Sequence, residues 1–412
     1  MPLSSVLLLL GTFGCIYMAW SIGANDAANA MGTSVGAKSI TLRQAIIISG
    51  IFEFAGAFLV GSHVTTTVRK GIVDVSAFTD KPVELALGMF AALLAAAIWL
   101  NIATNLKLPV STTHSIVGAV VGFGLIGAGI HEIHWTKLGV IASSWIVSPL
   151  VGGLAGFANF MVLRQVILRA RDPVIATKRY GPLFIFPVFV VLTLATIYKG
   201  FENLNLSFTV GRAIVLALAV GGFASLTGYL LLKRTTASPG NGFGFTEKAF
   251  GYLQVITACY MAFAHGANDV ANAVGPMAAI SIVARTGAVD ASVPVPTWLL
   301  VLGGIGIVLG VATMGYKVIQ TIGRRITDLT PTRGFCAEMA AATTVLVASK
   351  LGLPISTTHT VVGAVIGVGF ARGISALNLR VIKNILLSWA LEIPITAALS
   401  VLLFLVMSFL FL

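Results

Sequence analysis

Charged residues are scarce in this sequence, and their scarcity sets the class of protein. They make up 10% of the 412 residues, whereas 57% are hydrophobic and the mean hydropathy is +0.97. A soluble domain carries about 25% charged residues. The composition therefore excludes an ordinary soluble domain and indicates a polytopic membrane protein.

Other features are missing as well. The three cysteines all lie in apolar runs, so they indicate neither a disulfide framework nor a metal site. No phosphate-binding Walker A loop supports ATP-driven transport, and no Gly-x-Ser-x-Gly elbow surrounds Ser111 to support an enzyme. The net charge of +12 falls largely in loops, without a basic, aromatic-interleaved domain for nucleic acid. The N-terminus lacks the basic flank of a signal peptide, so the first apolar run is predicted to be a retained span.

The apolar runs predict an all-α membrane protein with about 12 transmembrane or re-entrant segments. A transmembrane helix needs about 20 residues. The runs that begin at Pro109 and Pro354 are short, which favours re-entrant half-helices.

Two sequence repeats indicate an internal duplication. Ten of fourteen positions are identical between Tyr17–Ala30 and Tyr260–Ala273. Eleven of sixteen are identical between Pro109–Gly124 and Pro354–Gly369. The offsets, 243 and 245 residues, are nearly equal, and chance does not produce two collinear matches of this quality.

The duplication predicts two repeats, residues 1–165 and 249–412, joined by a linker, residues 166–248. The linker is predicted to hold two spans and two basic loops, which the positive-inside rule places in the cytoplasm, with Lys199–Ser207 on the other side. An odd number of segments then separates the two copies, so the second is predicted to insert upside down, with both termini outside. Inverted repeats are typical of secondary transporters, whose sites lie at the repeat interface.

Gly-Ala-Asn-Asp occurs at residues 23–26 and again at 266–269. A carboxylate inside a membrane is costly and commonly functional. Glycine and asparagine weaken helices, so we predict a broken helix with freed carbonyls at each copy. The alternative interpretation of Gly-Ala-Asn-Asp is a small-residue packing motif with a polar hydrogen bond between helices. The oxygen-rich clusters suit Na⁺ or a proton, and their predicted residues are Asn25, Asp26, Asn29, Asn268, Asp269 and Asn272.

Pro-x-Ser-Thr-Thr-His occurs at residues 109–114 and 354–359. Proline and Ser/Thr favour a helix start, whose free N–H groups and dipole attract anions. Ordinary Ser/Thr bonding to the preceding turn is the alternative. Asp26 and Asp269 nearby would favour hydrogen phosphate, which can donate a proton to a carboxylate, over sulfate, which cannot. The predicted phosphate-binding residues are Ser111, Thr112, Thr113, Ser356, Thr357, Thr358, Asp26 and Asp269.

Two further acids, Glu53 and Glu338, lie in apolar runs and do not occupy matched repeat positions. Each is predicted to be a further sodium ligand or a proton relay. The alternative for each is a carboxylate at a helix end that reaches the interface.

With these motifs the chain resembles the inorganic phosphate transporter (PiT) family. The resemblance rests on Gly23–Ala30, Gly266–Ala273, the two Pro-x-Ser-Thr-Thr-His runs and the acidic positions Glu53 and Glu338. It implies cation-coupled phosphate symport, inverted repeats, homodimers, and substrate and cation sites at these motifs. The first copy has Ala27 where the second has Val270, and Ile22 where the second has His265. Neither difference falls on a proposed ligand. The short linker indicates a prokaryotic protein of the inner cell membrane.

The leading hypothesis is a secondary active symporter of inorganic phosphate in the lipid bilayer, driven by Na⁺ as the coupling ion and needing no cofactor. Proton-coupled symport of phosphate, metal-phosphate or sulfate is the alternative within transport. A passive anion channel is a different class, and the acids on its path argue against it. Neither an enzymatic activity nor a nucleic-acid partner is predicted.

Overall fold

The computed structural model describes residues 2–61, 72–197, 209–235, 242–289, 295–351, 353 and 355–412. Apart from one isolated bridge between Val73 and Ile133, the regular elements of these ranges are helical. The predicted outer loop Lys199–Ser207 and the motif residue Pro354 lie outside them. The all-α prediction is therefore confirmed for the described chain.

The α-helices, numbered here in chain order, are α1 (Leu3–Gly36), α2 (Leu42–Val60), α3 (Pro82–Asn105), α4 (Thr112–Gly127), α5 (Trp135–Leu163), α6 (Pro173–Tyr180), α7 (Ile185–Ala195), α8 (Val210–Arg234), α9 (Gly242–Thr286), α10 (Thr297–Met314), α11 (Tyr316–Arg325), α12 (Pro331–Lys350), α13 (Thr357–Phe370) and α14 (Leu379–Phe411).

Eight helical stretches of the described chain are long and apolar enough to cross a membrane. The short apolar helices α4 and α13, of 16 and 14 residues, occupy the places where half-helices were predicted. Each of the twelve predicted apolar segments corresponds to a helix. Their bounds differ most at α1 and α9, which extend to 34 and 45 residues because the polar motifs inside them continue the helix.

The prediction of a broken helix at each Gly-Ala-Asn-Asp copy is wrong. Both α1 and α9 run unbroken through the motif. The glycines serve close packing instead: a Cβ on Gly23 would lie 2.0 Å from the carbonyl oxygen of Ile307, and one on Gly266 would lie 2.0 Å from that of Glu53. The backbone carbonyls of the motifs remain in the helices, so any cation ligands there must be side chains.

These contacts place α1 against α10 and α9 against α2, and each of the two helix pairs has a second glycine in close contact. A Cβ on Gly310 would lie 2.0 Å from the carbonyl oxygen of Trp20, and one on Gly56 would lie 2.0 Å from that of Phe263. Such close approach between helices is typical of small residues in membrane proteins. The backbones of these two helix pairs are therefore in direct contact next to the two acidic motifs.

We expect Gly266→Ala to destabilise the protein because its methyl group would overlap the Glu53 backbone. Overpacking costs typically 1–3 kcal/mol, roughly, and a backbone obstacle leaves little room for relief. The matched control is Gly222→Ala in α8, where no atom of the described residues lies within 4 Å of the added Cβ. Thermal unfolding in detergent should show a lower midpoint for Gly266→Ala alone, and equal midpoints would contradict this account of the packing.

The short helices are held in the same way by long ones. Glycines of α4 lie against the backbone of α14, and glycines of α13 lie against the backbone of α5. The contacts pair Gly118 with Ile393, Gly122 with Ala397, Gly363 with Pro149, and Gly367 with Gly153. The packing leaves the N-terminal ends of α4 and α13 buried next to α1 and α9.

Candidate functional site: acids and helix starts at the centre

The starts of α4 and α13 are capped by the first serine of each motif. The Oγ atom of Ser111 accepts a bond from the backbone N–H of His114 at 3.2 Å, and that of Ser356 accepts one from His359 at 3.1 Å. Serine favours this position because its oxygen satisfies an otherwise free N–H. The predicted helix starts are thus confirmed, and both lie in the interior.

The first asparagine of each acidic motif holds the extended chain that precedes a short helix. The amide of Asn25 donates to the carbonyl of Leu108 at 3.2 Å and to Thr104 at 3.0 Å. The amide of Asn268 donates to the carbonyl of Ile355 at 3.0 Å. The two asparagines thus tie the extended segments before α4 and α13 to the unbroken helices α1 and α9.

The second asparagine of each motif reaches the hydroxyl groups of the other half of the chain. The amide of Asn29 donates to the Oγ1 atom of Thr358 and to the Oδ1 atom of Asp26, both at 2.8 Å. The amide of Asn272 donates to Thr112 at 3.2 Å and to Thr113 at 3.3 Å. The acidic motif of one half and the hydroxyl run of the other are therefore in direct contact.

The hydroxyl groups of α13 also donate to both acids. Thr357 donates to the Oδ2 atom of Asp269 at 2.7 Å. Thr358 shares its hydroxyl proton between the carbonyl of Val110 at 2.9 Å and the Oδ1 atom of Asp26 at 3.2 Å. Both carboxylates are fully buried. The two acids, predicted from separate parts of the chain, thus belong to one cluster with the start of α13.

His265 joins this cluster, although the sequence analysis did not place it there. Its Nε2 atom lies 2.8 Å from Asp269 Oδ2 and 3.5 Å from Asp26 Oδ2. Its Nδ1 atom lies 3.3 Å from Glu53 Oε2. The expectation that the exchange of Ile22 for His265 avoids the ligands is therefore wrong. The signal was present in the sequence, because this position breaks an otherwise close repeat.

Glu53 thus belongs to the central cluster through His265. Its other oxygen accepts a bond from the Ser49 hydroxyl one turn earlier in α2. Three carboxyl groups and one imidazole, none of them exposed, share this interior. Buried carboxylates require compensation by a cation or a proton because their desolvation is costly. Asp26, His265 and Asp269 also present ligand atoms that lie within 4.8 Å of one another, as a bound cation needs.

Glu338 is not part of this cluster. Its carboxylate accepts bonds from Thr33, from Ser34 at 2.6 Å, from Thr257 at 2.6 Å and from Gln254 at 3.3 Å. Thr33 lies seven residues after Asp26 in α1, which is about 10 Å along a helix. The buried Glu338 therefore does not reach an interface, and any ion that it binds would occupy a separate site.

Two halves of one chain thus bring facing acids, amides and hydroxyl groups to the buried starts of two helices. A buried polar cluster of this kind between the two halves of a helical membrane protein is typical of membrane transporters of ions.

Comparison with known proteins identifies the family. The chain belongs to the phosphate transporter family, which it matches over residues 22–400. It is 48% identical to a putative phosphate permease of Pyrococcus abyssi, with 96% of this chain and 97% of the relative covered. It is 43% identical to an inorganic phosphate transporter, chloroplastic, of Arabidopsis thaliana, with 97% of this chain and 71% of the relative covered. The chain is thus an integral membrane protein that transports phosphate, and it is not an enzyme.

A solved structure described as "The sodium-dependent phosphate transporter" has a similar fold. The TM-score is 0.93 and the sequence identity is 44%, with 99% of this chain and all of the other covered. This similarity supports the arrangement of helices described above.

Proposed function

We propose that the protein is a secondary active symporter that carries inorganic phosphate inward on the Na⁺ gradient, by alternating access at the interface of two inverted repeats. The observation that carries this proposal is the group of three buried carboxyl groups around His265, directly beside the two converging helix starts. A passive phosphate pore would gain nothing from acids on its path. A symporter needs them because they bind the cation that accompanies the anion.

The cation part of the proposed site consists of side chains. Asp26, Asp269 and Glu53 supply negative charge, and the asparagines at positions 25, 29, 268 and 272 supply neutral oxygens. Hard monovalent cations such as Na⁺ prefer oxygen ligands of this kind. Neither the Oδ1 atom of Asn272 nor the Oδ2 atom of Asp26 accepts a hydrogen bond within the described chain, and Asp26 Oδ2 faces His265 Nε2 at 3.5 Å. These two oxygens are therefore proposed as ligands of the cation. Glu338 would bind a further ion at its separate site.

The phosphate part of the proposed site consists of the two runs Ser111–Thr113 and Ser356–Thr358. Helix starts bind phosphate because their free N–H groups and dipoles point at the anion. The hydroxyl groups of Thr357 and Thr358 now donate to the two aspartates, and rotation would direct them to a phosphate oxygen. A proton on hydrogen phosphate would donate to Asp26 or Asp269, which supports phosphate over sulfate as the substrate.

Coupling follows from charge in this proposal. Phosphate and the carboxylates repel one another in an interior of low dielectric constant, where charges interact strongly. Cations between them offset both charges, so the fully loaded carrier is able to reorient and the half-loaded one is not. The resemblance to the family supports a homodimer in the inner membrane as part of the same proposal.

The test is phosphate uptake into proteoliposomes with an imposed ion gradient. We expect uptake to rise when an inward Na⁺ gradient is imposed and not when K⁺ replaces Na⁺. The runner-up, symport with protons, would instead respond to an inward proton gradient, and running the assay at two pH values separates the readings. No stimulation by either gradient would contradict symport.

A further inference from the structure

A groove between α5 and α14 lies outside the proposed transport site, and α13 forms its floor. Its volume is about 850 Å³. The described residues that line it are apolar or aromatic, apart from His114 and His359 at one end. Its rims are strongly exposed: Leu150 and Leu154 of α5 are 60% and 70% exposed, and Leu386 of α14 is 51% exposed. The groove therefore faces the hydrocarbon of the membrane.

The groove is about as long as one leaflet of a bilayer is deep. On α14 its lining extends from Ile382 to Ile393, a rise of about 17 Å along the helix. The hydrocarbon core of a bilayer is about 30 Å thick, so one leaflet contributes about 15 Å. The inner end of the groove lies at His359, whose ring stacks on that of Trp389 with centroids 3.5 Å apart. The groove thus extends from one membrane surface to the depth of the helix starts, which is the space that one acyl chain occupies.

The outer end of the groove is basic. Phe157 and Phe370, the lining residues nearest the ends of α5 and α13, have ring centroids 6.2 Å apart. Just beyond them, Arg164 donates to the backbone carbonyl of Ala371 at 3.3 Å. Lys383, which follows the lining residue near the start of α14, is exposed. Two cationic side chains therefore stand where the groove opens to the membrane surface.

The three helices that form the groove carry almost no negative charge to offset these cations. Residues 135–171 and 339–391 contain no Asp or Glu, and Arg380 adds a further exposed cation in the first turn of α14. The start of α14 also carries free N–H groups and the positive end of the helix dipole. An anionic group is therefore attracted to this end of the groove.

An acid from a neighbouring loop does not change this balance. Asp328 lies before α12, and it is accompanied by Arg333 and Arg372, which donate to its backbone carbonyl at 3.0 and 3.3 Å. The charge around the outer end thus remains positive.

These features favour a phospholipid as the occupant over a second copy of the chain. Two copies with the same orientation in one membrane would bring their basic ends together at the same surface if they met groove to groove. An anionic phospholipid places its phosphate group at the basic end and an acyl chain in the apolar part. Basic pockets between helices on the cytoplasmic side are known to bind such headgroups, and this end adjoins the loop predicted to be cytoplasmic.

We propose that the groove between α5 and α14 binds an anionic phospholipid, whose acyl chain lies against α13 and whose phosphate group contacts Arg164 and Lys383. The inner end of the chain contacts Trp389, which stacks on His359 directly after the hydroxyl run of α13. The bound lipid thus supports the start of α13 from the membrane side. This site is independent of the ion that drives transport.

The experiment measures lipid binding by tryptophan fluorescence, because Trp145 and Trp389 line the groove. Purified protein in micelles with excess phosphatidylcholine is titrated with phosphatidylglycerol whose acyl chains carry bromine, which quenches tryptophan on contact. Brominated phosphatidylcholine is the reference. We expect additional, saturable quenching by phosphatidylglycerol. Replacement of both tryptophans by phenylalanine should remove this additional quenching.

Substitutions at the basic end test the headgroup contact. Lys383→Gln and Arg164→Gln should each raise the half-saturating fraction of phosphatidylglycerol about fivefold, and the double variant about 25-fold, since one basic residue contributes about 1 kcal/mol to the attraction of anionic lipid. Arg164→Lys keeps the charge and should bind like the unsubstituted protein. Lys233→Gln, at an exposed position in the last turn of α8, should also leave binding unchanged.

A substitution inside the groove tests the acyl-chain contact. Ala390→Phe puts a ring in the groove and should abolish the saturable quenching. The matched control is Leu391→Phe, because Leu391 is 57% exposed and does not line the groove.

Equal quenching by the two lipids in the unsubstituted protein would overturn the proposal, and that result does not depend on the folding of any variant. Unchanged binding of phosphatidylglycerol to the double variant of Lys383 and Arg164 would overturn it as well. If Ala390→Phe converts a dimer into monomers in light scattering and leaves lipid binding unchanged, a second copy of the chain occupies the groove instead. Failure of symport would appear in the uptake assay alone, since the lipid titration requires no ion gradient.

Discussion

Asp269→Asn is expected to abolish Na⁺-driven phosphate uptake, with a loss of roughly 100-fold or more, since removing one partner from a buried charged cluster costs several kcal/mol. The asparagine keeps the size of the side chain and can still accept from Thr357. It removes the charge that faces His265 at 2.8 Å and that would bind the cation. Uptake should fall because the carrier can no longer be loaded with both ions. Asp26→Asn, at the matched position, is expected to behave in the same way.

The control is Asp80→Asn, which changes an equal charge at an exposed position. It should transport like the unsubstituted protein when equal amounts of folded protein are reconstituted. The opposing hypothesis, a passive channel, is tested by measuring anion current and passive phosphate flux in proteoliposomes that contain Asp269→Asn. A channel would conduct as well or better without the acid, so an undiminished flux would contradict the carrier mechanism.

The helix starts were predictable because their signals are local. Serine caps and the hydroxyl run that follows act within one turn of chain, so Ser111 and Ser356 are found where the pattern indicates. The duplication of both motifs at nearly equal offsets predicted in addition that they serve one site. The contacts of Asn29 with Thr358 and of Asn272 with Thr112 bring the two motifs together in the described chain, and their shared role in one site is a prediction. The inverted order of the two repeats and the position of the termini remain predictions.

The grouping of His265 with Glu53 could not be predicted from local pattern. It depends on how closely α2 approaches α9, and that approach is set by Gly56 and Gly266 from distant parts of the sequence. The contact between the buried Glu392 of α14 and Ser115 of α4 is of the same kind, because 277 residues separate the two in the sequence. Departures from the repeat are the one sequence signal for both, since His265 matches Ile22 and Glu392 matches Ser148.

The broken helix was predicted from intrinsic propensity, which tertiary contacts override. Each copy contains one alanine, Ala24 or Ala267, and is followed two residues later by another, Ala28 or Ala271. The first asparagine of each copy bonds to another segment rather than to its own backbone. Glycine here permits contact between helices and costs little helical stability in a bilayer, where unpaired backbone groups are costly. A polar motif in a membrane helix therefore indicates a site and does not by itself indicate a break.

Thr357→Val is expected to raise the phosphate concentration for half-maximal uptake by about 10- to 100-fold, since a hydrogen bond to a charged group contributes about 1.5–3 kcal/mol. Valine keeps the shape and removes a hydroxyl that now donates to Asp269 at 2.7 Å. The loss should be greater for Thr357→Val combined with Thr358→Val, because both donors of α13 are then missing. Thr227→Val in α8 is the control, since among the described residues that hydroxyl bonds to its own helix alone, at the carbonyl of Phe223. Na⁺ dependence measured at saturating phosphate separates the two parts of the site: it should change little if α13 serves the anion. An unchanged phosphate dependence in the double variant would contradict the assignment of α13 to phosphate. It would also contradict the proposal that the helix starts lie beside the acids in order to bind the anion.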